Sequence, residues 1–173
     1  MIDGTTVRLR AWGESDLNVL LELRNDIALQ AQLLARPRGS SAEQVRRWVE
    51  ERSARKDGLF FIVADYISDA ALGFLQISEM DLFDRRAEMG ICLVRESQRR
   101  GVGSESLALV SEYLCDTWRL RKLSLRVRAD NQAAIRCYRK CGFEEVGILR
   151  EHNYIEGAWR DIVLMDMFLA GRN

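Results

Sequence analysis

Val7 to Arg10 alternates apolar and basic residues, the period of two that a half-buried strand requires. Leu17, Leu20, Leu21 and Leu23 then recur at helical spacing, and Ser15 or Asp16 can cap the helix they predict. No period holds over residues 27–40, which read as irregular and carry Arg36 and Arg38. Ser41 and Gln44 have capping-box spacing, so a second helix should open there with Val45, Trp48 and Val49 turned inward. Strand patterns follow over 59–64, 71–78 and 88–94. Behind Gly101 and Gly103, Leu107, Val110, Leu114 and Trp118 form the buried stripe of a helix. Leu123, Leu125 and Val127 alternate with Ser124, Arg126 and Arg128 as in a strand. Asp130 or Asn131 starts another helix, which Gly142 ends as a C′ residue. Two late strands, over 146–149 and 162–168, flank a turn at Glu156-Gly157.

The order is strand, two helices, three strands, helix, strand, helix, two strands. It predicts a mixed α/β layer fold with helices packed on a central sheet. Pro37 is the one proline, and no linker or repeat interrupts the chain, so residues 1–173 read as a single domain.

Composition narrows the function mainly by exclusion. The chain balances 26 basic against 26 acidic residues, which gives no global field favouring nucleic acid or an anionic membrane. No apolar run reaches the ~18–20 residues of a membrane span, and the N-terminus lacks the layout of a signal peptide. A cytoplasmic location is therefore expected. Cys92, Cys115, Cys137 and Cys141 form no CxxC pair and His152 is the lone histidine, so no metal site is expected. Cys137 and Cys141 read as packing residues on a helix.

The sharpest local chemistry lies at Gln98-Arg99-Arg100-Gly101-Val102-Gly103-Ser104, between a strand and a helix. A helix start leaves N–H groups without intrahelical partners, and its dipole adds positive charge. Glycine lets the backbone approach an anion closely. Such a turn can cradle a pyrophosphate, or it can merely redirect the chain. It is neither a GxGxxG fingerprint nor a P-loop.

Three motifs in order carry a family resemblance: AEMGICLV from Ala87, QRRGVG from Gln98, and NQAAIRCYRKCGF from Asn131. Residues 87–168 resemble the GNAT acetyltransferase superfamily throughout, and residues 5–86 resemble its N-terminal arm more loosely. VRLRAWGESDL and LREHNYIEGAWRDIVLM bring the chain nearest the branch of ribosomal-protein N-terminal, spermidine and nucleotide-amino-sugar acetyltransferases. The resemblance implies a GNAT-like, mostly antiparallel sheet with splayed fourth and fifth strands and helices on both faces. It implies acetyl-CoA as co-substrate, bound at Gln98 to Ser104. The pantetheine arm would pair with the backbone of Cys92, Leu93 and Val94, as a peptide adds to an open strand.

An alkylammonium must lose a proton before it attacks a thioester, and the leaving thiolate gains from a proton donor. Tyr138 matches the family tyrosine often placed as that donor; its bland alternative is a packed aromatic. Asn131 matches a residue that bonds the coenzyme arm, or it is a simple N-cap. Glu88 sits where some members place a base, among small and apolar residues; an ion pair with Arg85 or Arg86 is the alternative. Arg128, Arg136, Arg139 and Lys140 offer charge to the coenzyme's adenosine phosphate, or form a solvated helix face. His152 and Tyr154 lie on the segment that borders the acceptor in related enzymes.

A polyamine should be met by carboxylates. Residues 27–42 contain no acid but do contain Arg36 and Arg38. With Arg24, these favour a nucleotide-linked amino sugar as acceptor, ahead of a protein N-terminus or a polyamine. A small-molecule or peptide amine is thus the expected partner, and the resemblance admits a homodimer. The rival from another class is a non-catalytic acyl-CoA sensor.

Overall fold

The computed structural model describes residues 1–36 and 38–169; Pro37 and residues 170–173 lie outside them. Strands are β1 (Ile2–Asp3), β2 (Val7–Arg10), β3 (Leu59–Asp65), β4 (Ala71–Asp81), β5 (Arg86–Leu93), β6 (Lys122–Arg128), β7 (Glu144–Ile155) and β8 (Ala158–Phe168). Helices are α1 (Leu17–Asn25), α2 (Ile27–Gln32), α3 (Ala42–Ser53), α4 (Val102–Trp118) and α5 (Gln132–Lys140). Among the described residues the strands form one sheet in the order β1-β2-β3-β4-β5-β6-β8-β7. All neighbours run antiparallel except β5 and β6, which run parallel. The short β1 moves the strand count by one, so the expected fourth and fifth strands are β5 and β6.

Alternation along β3 shows why helices cover both faces. Phe60, Ile62 and Ala64 join Leu20, Leu23, Val45 and Val49 of α1 and α3 in one core. Val63, between them, points the other way and joins Val102, Leu107, Val110 and Leu114 of α4 with Ile135 of α5. Each of the Val, Leu, Ile and Phe side chains among these is worth roughly 1.5–3 kcal/mol when fully buried, so the two apolar faces dominate the fold's stability.

The capping box of α3 forms as expected: Ser41 Oγ accepts from Gln44 N at 3.3 Å, and Gln44 Oε1 from Ser41 N at 2.8 Å. Two other local expectations fail. Asp16 occupies the N-cap of α1 without capping it. Its carboxylate, almost fully buried, instead accepts from Arg10 at 2.8 and 2.9 Å and from Gly13 N at 2.8 Å. The stretch expected to be irregular contains α2, whose N-cap Asp26 accepts from Leu29 N at 2.9 Å. Its buried face consists of Gln30 and Ala31, so no apolar period betrays it.

The final strands are longer than their hydrophobic pattern suggests. At the expected turn, Glu156 and Gly157 both have positive φ, 53° and 78°, the two-residue loop that suits a twisted hairpin. Arg128, expected on an exposed face, is buried. It donates to Asp130 at 2.9 and 2.7 Å and to Glu156 at 2.9 Å, tying the end of β6 to the hairpin turn.

Candidate active site

The turn into α4 has the backbone an anion cradle needs. Gly101 is its N-cap in the left-handed region, φ 84°, and Arg99 is also left-handed, φ 59°. Gly101 itself has no side chain with which to cap the helix. The first N–H groups of α4, from Val102, Gly103 and Ser104, therefore have no intrahelical acceptor. A Cβ at Gly101 would meet nothing within 4 Å, so the approach to this turn is open. Val102 is buried and pins the turn, while Arg99 and Arg100 stand exposed beside it. Gln98 Nε2 donates to Leu93 O at 3.0 Å, joining the turn to the end of β5. Glu105, an acid that would oppose an anion here, is turned away and accepts from the N–H groups of Thr5 and Thr6 and from the Thr6 hydroxyl.

Beside this turn the sheet parts. β5 and β6 pair only at Arg86–Lys122, Ala87–Leu123 and Glu88–Ser124, although β5 runs on to Leu93. Val94 N donates to Leu72 O at 2.9 Å, in register with the β4–β5 ladder. Alternation therefore sends the backbone groups of Cys92 and Val94 toward β4, and those of Ile91 and Leu93 toward the gap. Of Cys92, Leu93 and Val94, expected to pair with the coenzyme arm, only Leu93 turns its backbone to the opening; Ile91, which was not among them, does so too. The parity of the strand, judged from its pairing with β4, is the signal that finds it; the residue types are silent.

The Cys92 side chain enters the core under α1 and α3, and burial pushes its thiol up to about 12. Tyr138 comes from α5 and packs edge-on against Phe143, with ring centroids 5.9 Å apart. Burial first, then the nearby Cys137, Cys141 and Cys92, pushes its phenol up to about 12. The hydroxyl is thus held protonated, as a donor must be, well past the ordinary value. Asn131 caps α5, its Oδ1 accepting from Ala134 N at 3.2 Å. Ser104 Oγ lies 3.7 Å from Cys137 Sγ, linking the cradle helix to the tyrosine helix.

Glu88 is ion-paired, but not with Arg85 or Arg86. Arg126 holds one carboxylate oxygen at 3.1 and 2.9 Å; the last rung pairs Glu88 with Ser124, and Arg126 stands two residues beyond it on β6. The pair borders a cleft of about 380 Å³ whose lining includes Glu79, Ser124, Leu149 and Asp166. Lys122 pairs with Asp166 in that lining. His152 and Tyr154 do not line the cleft: both are exposed, and Tyr154 stacks edge-on with Trp159, centroids 5.4 Å apart. Arg36 and Arg38 are exposed, whereas Arg24 is half-buried over the Trp48 ring.

Residues 6–144 match the family model described as "Acetyltransferase (GNAT) domain". The chain is 26% identical over 163 residues to spermidine N(1)-acetyltransferase of Escherichia coli (strain K12), covering 94% of this chain and 86% of that protein. It is 33% identical over 119 residues to the L-amino acid N-acetyltransferase AaaT of the same strain, covering 67% and 72%. The structure of spermidine N-acetyltransferase from Vibrio cholerae in complex with CoA and spermine superposes with a TM-score of 0.88 at 24% identity, over 96% of this chain and 97% of that one.

Proposed function

Because the chain belongs to the GNAT family of acetyl-CoA-dependent N-acetyltransferases, we propose that it moves an acetyl group to the primary amine of a small molecule at the gap between β5 and β6. The sensor reading is set aside with the family. The observation that carries the proposal is the early end of the β5–β6 ladder beside an open, left-handed glycine cap.

Acetyl-CoA supplies the activated thioester. The N–H groups after Gly101 hold its phosphates, with Arg99 and Arg100 adding charge. The backbone of Ile91 and the N–H of Leu93, whose carbonyl already accepts from Gln98, offer partners to its amide arm. Tyr138 donates a proton to the departing sulfur, and Glu88, held in place by Arg126, receives the proton of the incoming ammonium.

Acceptor identity has two readings. The early arginines support an anionic acceptor such as a nucleotide-linked amino sugar. A polyamine is favoured by the likeness to spermidine acetyltransferases and by Glu79, Glu88 and Asp166 around the cleft. Two of those three acids already have cationic partners in Arg126 and Lys122. The test is thiol release from acetyl-CoA with amino acids, amino sugars, polyamines and peptides in turn. Amine-dependent release from at least one class is expected. Release no faster than hydrolysis with every class would overturn the reading.

A further inference from the structure

The molecule pairs its arginines widely. Arg10, Arg46, Arg47, Arg55, Arg86, Arg95, Arg126, Arg128 and Arg139 all hold carboxylates. Arg24 is different. It lies in the last turn of α1, half-buried, with no carboxylate partner among the described residues. Its guanidinium carbon sits 4.7 Å from the centroid of Trp48 on α3. One Nη donates to Gln30 Oε1 at 3.3 Å, and Gln30 is itself fixed by its own bond to Leu23 O at 2.8 Å. The Nε is buried and meets no acceptor among the described residues. A buried donor of a charged group left without an acceptor costs more than the few tenths of a kcal/mol that its helix-end position returns.

The surroundings make the charge harder still to keep. Burial lowers the Arg24 pKa, and Arg52 and Arg38 push the same way, while Cys92 opposes them. Arg52 and Arg38 thus add to the positive field at Arg24. Tyr138 also feels Cys92. A planar, preoriented guanidinium at this point matches a carboxylate or phosphate.

We propose that Arg24, stacked on Trp48, receives an anionic group of the acceptor, a carboxylate foremost, and so directs the acceptor's amine toward the gap beside the end of β5. The proposal rests on the acetyltransferase reading above and names the acceptor class for that site: an amine that carries an acid. Trp48 and Gln30 are positioning residues, since they act by fixing the guanidinium.

The test uses the full chain and matched acceptors: L-amino acids against their carboxamides, glucosamine 6-phosphate against glucosamine, and spermidine. The carboxamide has the less basic amine, so intrinsic reactivity at neutral pH favours it over the acid. The expected result is the reverse, with kcat/KM at least tenfold higher for the acid. Arg24→Gln should erase that preference by raising the acceptor KM tenfold or more, with the acetyl-CoA KM within twofold, and Arg24→Lys should restore part of it. A preference for the sugar phosphate alone identifies phosphate as the anion and supports the same site. Acids and amides used equally, spermidine used alone, or a preference untouched by Arg24→Gln would each overturn the inference and leave the acetyltransferase reading standing. The wild-type comparison decides even if Arg24→Gln does not fold. Failure of every amine to release thiol would sink that reading and this inference with it.

Discussion

Tyr138 rests against Phe143 at 5.9 Å and 64°, so the ring that bears the proposed acid is fixed by a neighbour only five residues away. Phenylalanine keeps this contact. Tyr138→Phe should melt within a few degrees of wild type, keep its acetyl-CoA affinity, and lower kcat roughly 10- to 10³-fold, part of the ~10²–10⁴ that acid–base help supplies. A kcat within twofold of wild type, with chemistry shown to be rate-limiting, would remove the acid role.

The pH profile adds an independent check. An unperturbed phenol would lose its proton near pH ~10, but the structure moves that point upward. Burial favours the neutral phenol and pushes it up to about 12. A donor works only while protonated, so the activity lost to its ionisation should be fully present through pH ~10 and fall only as the pH approaches about 12. A fall centred below pH ~9 that is absent in Tyr138→Phe would contradict this environment.

Gly101 offers a second test. Any L-residue must hold the φ of 84° at a cost of roughly 1–2 kcal/mol, yet a Cβ finds open space. Gly101→Val should therefore fold. The side chain would stand where phosphate approaches, and calorimetry should show an acetyl-CoA Kd raised tenfold or more, ~1.4 kcal/mol. Unchanged affinity in the folded variant would move the coenzyme elsewhere.

Glu88 and Arg126 can be separated by substitution. If Glu88 takes the acceptor's proton, Glu88→Gln should lower kcat about 10²-fold, whereas Arg126→Ala, which keeps the carboxylate, should cost less than tenfold. Equal losses in both variants would assign the pair a structural role only.

Cys92 should resist alkylation. Its thiol is pushed up to about 12 by burial, so at pH ~8 the thiolate is roughly 10⁴-fold scarcer than the thiol. Mass spectrometry of the native protein after brief iodoacetamide treatment should find Cys92 unmodified while the less buried Cys115 or Cys137 reacts. Rapid labelling of Cys92 would show that this part of the core opens.

Features with a period or a cap were legible in the sequence. Ser41 and Gln44, the stripe from Leu107 to Leu114, and the Glu156-Gly157 turn all stand where local chemistry puts them. The left-handed turn into α4 was legible because glycine at a helix start is itself what such a turn requires. What escaped depends on partners distant in sequence. Asp16 looked like a cap because Arg10 could not be known to lie 2.8 Å away. Arg128 looked solvated until Asp130 and Glu156 closed on it. Arg24 was legible as a charge, but its lack of an acid appears only when α1, α2 and α3 are assembled around it. The backbone that faces the gap depends on strand parity, which composition does not carry.

That parity has a consequence for hydrogen exchange. Along β5 the amides should divide by odd and even number. Those of Cys92 and Val94 are locked into the ladder with β4 and should exchange with deuterium only when that ladder opens. Those of Ile91 and Leu93 face the gap and should exchange orders of magnitude sooner. Acetyl-CoA laid along the strand would slow the fast pair and leave the slow pair almost untouched, so the two alternate amides of Ile91 and Leu93 would report, one by one, whether the missing rungs of the sheet have been supplied.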